Sequence, residues 1–132
     1  MAAESSINLQ SVREFLARKN ARRRAAVDER WELAQRDFAR ITRHIIAVYE
    51  PLRVYQWGSL LDRRRFSRIS DIDIALEGLT GPEEYFAILG DAMNMTSLPL
   101  DIIELEKLDA ETAELIRTGG KLVYERHEGT DG

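Results

Sequence analysis

Apolar side chains recur at helical spacing through residues 1–50, which contain no glycine and no proline. From Val27 onward the apolar positions alternate four and three residues apart, the spacing of one face of an α-helix. They are Val27, Trp31, Ala34, Phe38, Ile41, Ile45 and Val48. The pattern predicts a long amphipathic helix that ends near Pro51.

An earlier apolar group, Leu9, Val12 and Leu16, does not join this stripe in phase. The polar stretch at residues 19–24 separates the two groups, so we expect two helices or one long helix whose apolar face changes. Ser5 or Ser6 is the candidate N-cap. The main stripe can lie on the protein's own sheet or pair with a second copy, and the arginines at 22–24 are expected to be solvated.

After Pro51 the pattern changes to short apolar runs closed by glycine or turn residues, which are typical of strands. The predicted strands span residues 52–57, 72–76, 98–105 and 121–124. A helical turn is expected at 60–65, and helices from Pro82 to about Asn94 and from the cap Asp109 to about Thr118. This order predicts an α/β or α+β domain with a small mixed sheet. The divisions are an N-terminal helical segment (1–50), a core (51–126) and a loose tail (127–132).

Composition narrows the class of protein. A chain of 132 residues with 44% hydrophobic and 32% charged residues is expected to fold as one domain. Its net charge of −4 predicts no direct nucleic-acid binding by the protein as a whole. The absence of cysteine excludes disulfides and thiolate metal sites. Without a signal-peptide pattern or a long apolar run, we expect a cytoplasmic protein with no membrane segment.

Three aspartates are the candidate chemical groups. Asp71 and Asp73 stand two residues apart at the start of a strand, so both point to one face while Ile72 and Ile74 point to the core. Asp101 interrupts an otherwise aliphatic strand, where an unpaired carboxylate is costly to bury. If the two strands are neighbours, the three carboxylates can share a divalent cation, and hard oxygen ligands suit Mg²⁺.

Gly58-Ser59, at the end of the first strand, is the complementary element. Glycine allows close approach of the backbone, and the hydroxyl and amide groups can hold phosphate. The order Gly58-Ser59, then Asp71-Ile72-Asp73, then Asp101 resembles the polymerase-β-like nucleotidyltransferase superfamily, and more closely its minimal nucleotidyltransferases. The resemblance covers residues 52–124.

The resemblance implies a role for each of these residues. Gly58 and Ser59 would position the β and γ phosphates of a nucleoside triphosphate, with ATP the expected substrate. Asp71, Asp73 and Asp101 would be catalytic metal ligands for Mg²⁺ or Mn²⁺. Ser70 and Arg65 are further nucleotide-binding candidates. Arg63, Arg64 and Arg68 are alternatives to Arg65 as the contact to the triphosphate. The loop at residues 60–66 departs from many relatives because it has no glycine and carries three consecutive arginines.

The resemblance also implies a partner. Minimal nucleotidyltransferases are often antitoxins paired with a HEPN-type toxin, which suggests transfer of AMP to a tyrosine of that protein. One alternative is a small-molecule, antibiotic-type nucleotidyltransferase. Another is a non-catalytic module that masks a partner through the stripe at residues 27–48. A homodimer through the N-terminal helix is also compatible with the pattern.

Overall fold

The computed structural model describes residues 8–127, and its first element is a single helix, α1 (Leu9–Tyr49). Asn8 caps it by accepting a hydrogen bond from the backbone N–H of Gln10 at 2.8 Å, whereas Ser5 and Ser6 lie outside the described residues. The polar stretch at 19–24 does not break the helix, because Lys, Arg and Ala are good helix formers. Of the two predicted alternatives, the structure therefore shows one long helix and not two separate helices.

α1 ends where the sequence predicts. Glu50 adopts the left-handed conformation with φ 49°, and its N–H donates to the carbonyl of Ile46 at 3.2 Å. Pro51 follows and cannot continue the helix.

The remaining chain forms a four-stranded mixed sheet with two helices. The strands are β1 (Arg53–Trp57), β2 (Ile72–Glu77), β3 (Leu100–Glu104) and β4 (Lys121–Glu125), in the spatial order β3-β2-β1-β4. β2 and β3 are parallel, while β1 is antiparallel to both β2 and β4. With α2 (Pro82–Met93) and α3 (Ala110–Gly119), the fold is α+β, as the pattern predicts. β3 is shorter than the predicted span, and the helical turn expected at 60–65 is a 3₁₀ turn over Gly58–Leu61.

One face of the sheet is covered by α1 and α2. The fully enclosed side chains come from α1, from the sheet and from α2: Ala34, Phe38, Ile41, Ile45, Val54, Ile72, Ile74, Ile102, Ile88 and Ala92. The main stripe of α1 therefore packs inside its own domain. Its use as a zipper to a second copy, or as a surface that masks a partner, is excluded for these core positions because they are already buried.

The opposite face is covered only in part, by α3. Ala113 and Ile116 pack on Tyr55 and Ala75, and Asp109 caps the helix by accepting from the N–H of Thr112 at 3.0 Å. α3 lies over the middle of the sheet and does not cover the residues at the start of β2. This end of the sheet face therefore stays open. In the part of the chain that the structure describes, no helix is both long and apolar enough to cross a membrane.

At the other end of β2, Glu77 is buried in a polar network. Its carboxylate accepts hydrogen bonds from Arg117 (2.8 and 3.1 Å), Arg53 (3.3 Å) and Tyr55 (3.1 Å). Burial alone would raise the pKa of Glu77, but the bonds from Arg117, Tyr55 and Arg53 outweigh it and hold that pKa below its ordinary value. The network joins β1, β2 and α3.

Candidate functional site

Two of the three predicted aspartates face each other across neighbouring strands. Asp73 in β2 stands directly beside Asp101 in parallel β3, and Trp57 of β1 is the partner of Asp73 on its other side. All three side chains point to the face that carries α3, beyond the part that α3 covers. The condition for a shared site, that these two strands are neighbours, is met. Asp71 lies immediately before β2 and is half-buried.

Gly58 brings the predicted Gly-Ser turn against the same carboxylate. Its φ of +82° is a left-handed conformation that glycine adopts without strain, and a Cβ at this position would collide with Oδ2 of Asp73. The backbone of Gly58 thus lies closer to the carboxylate of Asp73 than a residue with a side chain could. Two motifs that are 15 positions apart in the sequence meet at one point of the sheet.

The electrostatics of the site concentrate on Asp73. Burial raises the pKa of Asp73 to about 7, and the negative charges of Asp101 and Asp71 add to this effect. Asp101, by contrast, is exposed, so the expectation that it is the costly buried carboxylate was wrong. The aliphatic neighbours of Asp101 point to the other face or under α3, and its own side chain reaches the open end of the sheet face.

A cleft of about 730 Å³ lies beside this open end, between the Gly58 turn and α3. Asp101 and Trp57 line one side, the apolar side chains of Ile103, Leu108, Leu115 and Ile116 form the floor, and Arg65 stands at the rim. The indole N–H of Trp57 is buried and has no hydrogen-bond partner among residues 8–127. The cleft therefore offers an apolar surface and a cationic side chain beside the carboxylates.

The loop arginines separate into distinct roles. Arg63 turns toward α1, where it bonds Asp28 at 3.2 Å and lies 4.9 Å from the ring centre of Trp31. Arg64 is almost fully solvated beside Asp62. Of these three, only Arg65 lines the cleft.

The two predicted serines occupy different positions. Ser59 lies in the 3₁₀ turn and is half-buried. Ser70 is engaged inside the loop, where its hydroxyl accepts a hydrogen bond from the N–H of Ser67 at 2.9 Å. Ser70 thus shapes the loop that leads into Asp71.

Sequence patterns did not reveal an amide pair behind the turn. Gln35 of α1 donates to the carbonyl of Leu60 at 2.9 Å and accepts from the side chain of Gln56 at 3.1 Å. The pair fastens the 3₁₀ turn to α1 from the side opposite the cleft. Only the unusual polarity of Gln56 within a β-type run could have suggested it.

The donor set fits a divalent cation in part. No group of three or more His, Asp or Glu side chains within residues 8–127 already forms a metal-binding cluster. Asp73 and Asp101 nevertheless form a facing pair of hard oxygen donors, and Mg²⁺ commonly takes one or two carboxylates with substrate phosphates completing its shell. Burial is the main cause of the raised pKa of Asp73, and the repulsion from Asp101 and Asp71 that adds to it is the interaction that such a cation would relieve.

Gly58→Ala is expected to destabilise the protein by about 1–3 kcal/mol and to abolish any nucleotide binding at the turn, because the new methyl group must displace Asp73. Urea unfolding and calorimetric titration measure the two effects. Gly90→Ala is the matched control: Gly90 lies inside α2 with nothing within 4 Å of an added Cβ, so this change should stabilise. Equal losses in both variants would contradict the steric explanation.

Gln35→Leu is expected to lower the free energy of unfolding by about 1–2 kcal/mol, because the carbonyl of Leu60 and the amide of Gln56 lose their partner. Nucleotide affinity should fall as well, since the turn is held from behind. Gln35→Glu keeps the acceptor for Gln56 but removes the donor to Leu60. If Gln35→Glu behaves like wild type in both assays, the Leu60 bond does not hold the turn.

No protein-family model matches the chain, and no curated protein matches it. Asp73, Asp101 and Gly58 therefore define the candidate site by their geometry.

Proposed function

We propose that this protein is a Mg²⁺-dependent nucleotidyltransferase that moves NMP, with AMP the first candidate, from a nucleoside triphosphate to a hydroxyl group. The observation that carries the proposal is the contact of Gly58 with the carboxylate of Asp73, which itself faces Asp101. A backbone turn without a side chain, placed against paired carboxylates, suits a triphosphate with its cation.

Each residue has a task in this reaction. Gly58 and Ser59 hold the outer phosphates, Arg65 neutralises charge at the rim, and Trp57 presents an apolar ring beside the cleft. Asp101, the more exposed carboxylate, takes the proton of the acceptor hydroxyl. The oxygen of that hydroxyl bonds to the α-phosphorus, and pyrophosphate departs. Bound Mg²⁺ supplies charge neutralisation for the phosphates. No protein nucleophile is required.

The acceptor we propose is a protein partner in the cytoplasm, with a HEPN-type toxin as the first candidate. The masking-module alternative loses its basis at the core positions of the α1 stripe, because Ala34, Phe38, Ile41 and Ile45 are enclosed in the core. A small-molecule acceptor remains the competing substrate class, and the apolar cleft is large enough to receive one.

The deciding experiment is calorimetric titration with ATP, GTP, CTP and UTP in Mg²⁺, for wild type and for Asp71→Asn/Asp73→Asn. We expect binding of at least one nucleotide that requires the metal and is lost in the double variant. Glu32→Gln, an exposed carboxylate of α1, is the control and should bind as wild type does. If no nucleotide binds wild type in Mg²⁺ or Mn²⁺, the proposal fails.

Transfer itself is tested with α-labelled nucleotide and the candidate acceptor. Label should appear on the partner protein with wild type and not with the double variant. Label on a small molecule alone would support the competing substrate class.

A further inference from the structure

The first half of α1 is exposed, and its end borders the rest of the protein, where Arg23 and Arg24 line a groove with Phe66. We call residues 9–26 the N-terminal arm. Except for Lys19, which lies over the ring of Phe15 at 6.0 Å, every residue of the arm is exposed. Within residues 8–127, its side-chain hydrogen bonds are internal, such as that from Gln10 to Glu14 at 3.2 Å. The arm is about 27 Å long at 1.5 Å per residue.

The arm carries an apolar face that nothing else within residues 8–127 covers. Leu9, Val12, Phe15 and Leu16 are between 36% and 67% exposed. In proteins, most helical stability comes from the packing of such an apolar face. The face is therefore suited to a partner.

The charge of the arm decides which partner fits. Six basic residues and one acid give it a formal charge of +5, whereas the whole chain carries −4, which leaves −9 for the remainder. Two arms packed on each other would repel, because each has a formal charge of +5. An acidic surface with its own exposed apolar stripe is the complement.

The outer face of α2 has both properties. α2 contains no basic residue, and its first turn carries Glu83 and Glu84; its third acid, Asp91, faces α1. It also exposes Phe86 (65%), which borders a groove beside the edge strand β3, and Met93 (61%). Between them lie Ala87 and Gly90, and nothing stands within 4 Å of an added Cβ at Gly90, so a second helix can approach closely.

The arm cannot reach α2 of its own chain. Asp91 of α2 accepts hydrogen bonds from His44 and Tyr49, which fixes α2 beside the far end of α1. Leu16 and His44 are separated along α1 by about 40 Å. Contact between the two apolar faces therefore requires a second copy.

We propose that two copies of this chain form a dimer in which the arm of each packs on the outer face of α2 of the other. Two-fold symmetry makes the contact twice, and basic side chains of the arm meet the acids of α2. α2 lies on the sheet face opposite the cleft, so both clefts stay open in the dimer. The proposal does not depend on nucleotidyl transfer.

Light scattering after gel filtration, without nucleotide, measures the assembly. Wild type should be a dimer, and Leu16→Glu and Phe86→Glu should each weaken it at least tenfold. Both residues are exposed, so the fold should persist, as circular dichroism will show. Ile69→Glu, at a loop residue that is 86% exposed, is the matched control and should remain dimeric. A monomer at all concentrations, or a dimer that survives both variants, would overturn the proposal.

Cross-linking then identifies the contact, and the absence of native cysteine makes it unambiguous. Leu16→Cys and Ala87→Cys proteins are mixed and treated with a short bifunctional thiol reagent. The expected product joins one variant to the other. Leu16→Cys joined only to itself would mean that arms pair with arms, which would overturn the proposed arrangement.

Discussion

Asp73→Asn should lower the rate of nucleotide transfer by about 10²–10³-fold, because one donor of the facing carboxylate pair is lost where charge must be neutralised. The same change should stabilise the metal-free protein. Asp73 thus contributes to activity at a cost in stability, which is expected where negative side chains lie close together to bind a cation.

The sign of the stability effect follows from the pKa of Asp73. Because burial and the neighbouring aspartates raise that pKa to about 7, the folded state favours the protonated carboxyl. The destabilisation is absent below about pH 4, grows as the pH rises, and is complete above about pH 7. After allowance for screening by water, Asp73→Asn should raise the free energy of unfolding by about 1–2 kcal/mol at pH 8 and leave it unchanged near pH 4.

Thermal unfolding in EDTA and in Mg²⁺ with nucleotide tests both halves of this expectation. In EDTA at pH 8 the variant should melt a few degrees above wild type. With Mg²⁺ and nucleotide, wild type should rise above the variant, since only wild type gains stability from binding. If wild type and variant respond equally to Mg²⁺ with nucleotide, Asp73 is not a ligand of the site.

Glu77→Leu should cost about 3 kcal/mol of unfolding free energy, because Arg53, Arg117 and the hydroxyl of Tyr55 lose their shared, buried acceptor. Glu77→Gln, which keeps the volume, should cost about 2 kcal/mol. Urea unfolding at pH 7 measures both. The control is Glu114→Gln: Glu114 bonds the same Arg117 at 3.5 Å on the surface, and its loss should leave the midpoint unchanged.

The effect of Glu77 has a defined pH window. Its pKa is lowered in the folded state, so its stabilisation is present above the unfolded pKa of about 4.3 and is lost as the pH falls through the folded value. Wild type and Glu77→Gln should therefore converge at low pH. A difference that is the same at pH 7 and in strong acid would show that packing, and not the charge, is lost.

The centre of the candidate site could be predicted because it depends on local rules. Alternation along a strand places Asp73 on one face and Ile72 and Ile74 on the other, and a glycine that ends a strand predicts a special backbone conformation. The neighbouring position of β3 was an inference from the chemistry of Asp101, and the sheet order bears it out.

What the sequence did not show depends on how elements pack. Asp101 is exposed because α3 covers only part of the sheet. The alternation of residues along a strand does not predict how much of the sheet a helix covers. The bond from Gln35 to Leu60 joins residues 25 positions apart and appears only when α1 lies across the 3₁₀ turn. The pattern left open whether α1 is one helix or two. Leu16 and Val27 are eleven residues apart, or about three turns, so they lie near the same face of one continuous helix.

The packing of α1 on β3 also bears on how the chain folds as it is made. The stripe of α1 is synthesised first, yet its enclosed partners include Ile102, which is translated much later. At about 5–20 residues per second, the stripe waits several seconds for the strand that completes its core. A nascent chain that is halted before β3 thus exposes the apolar stripe of α1, which chaperones can bind. Most of the domain must leave the ribosome before α1 can pack into its core.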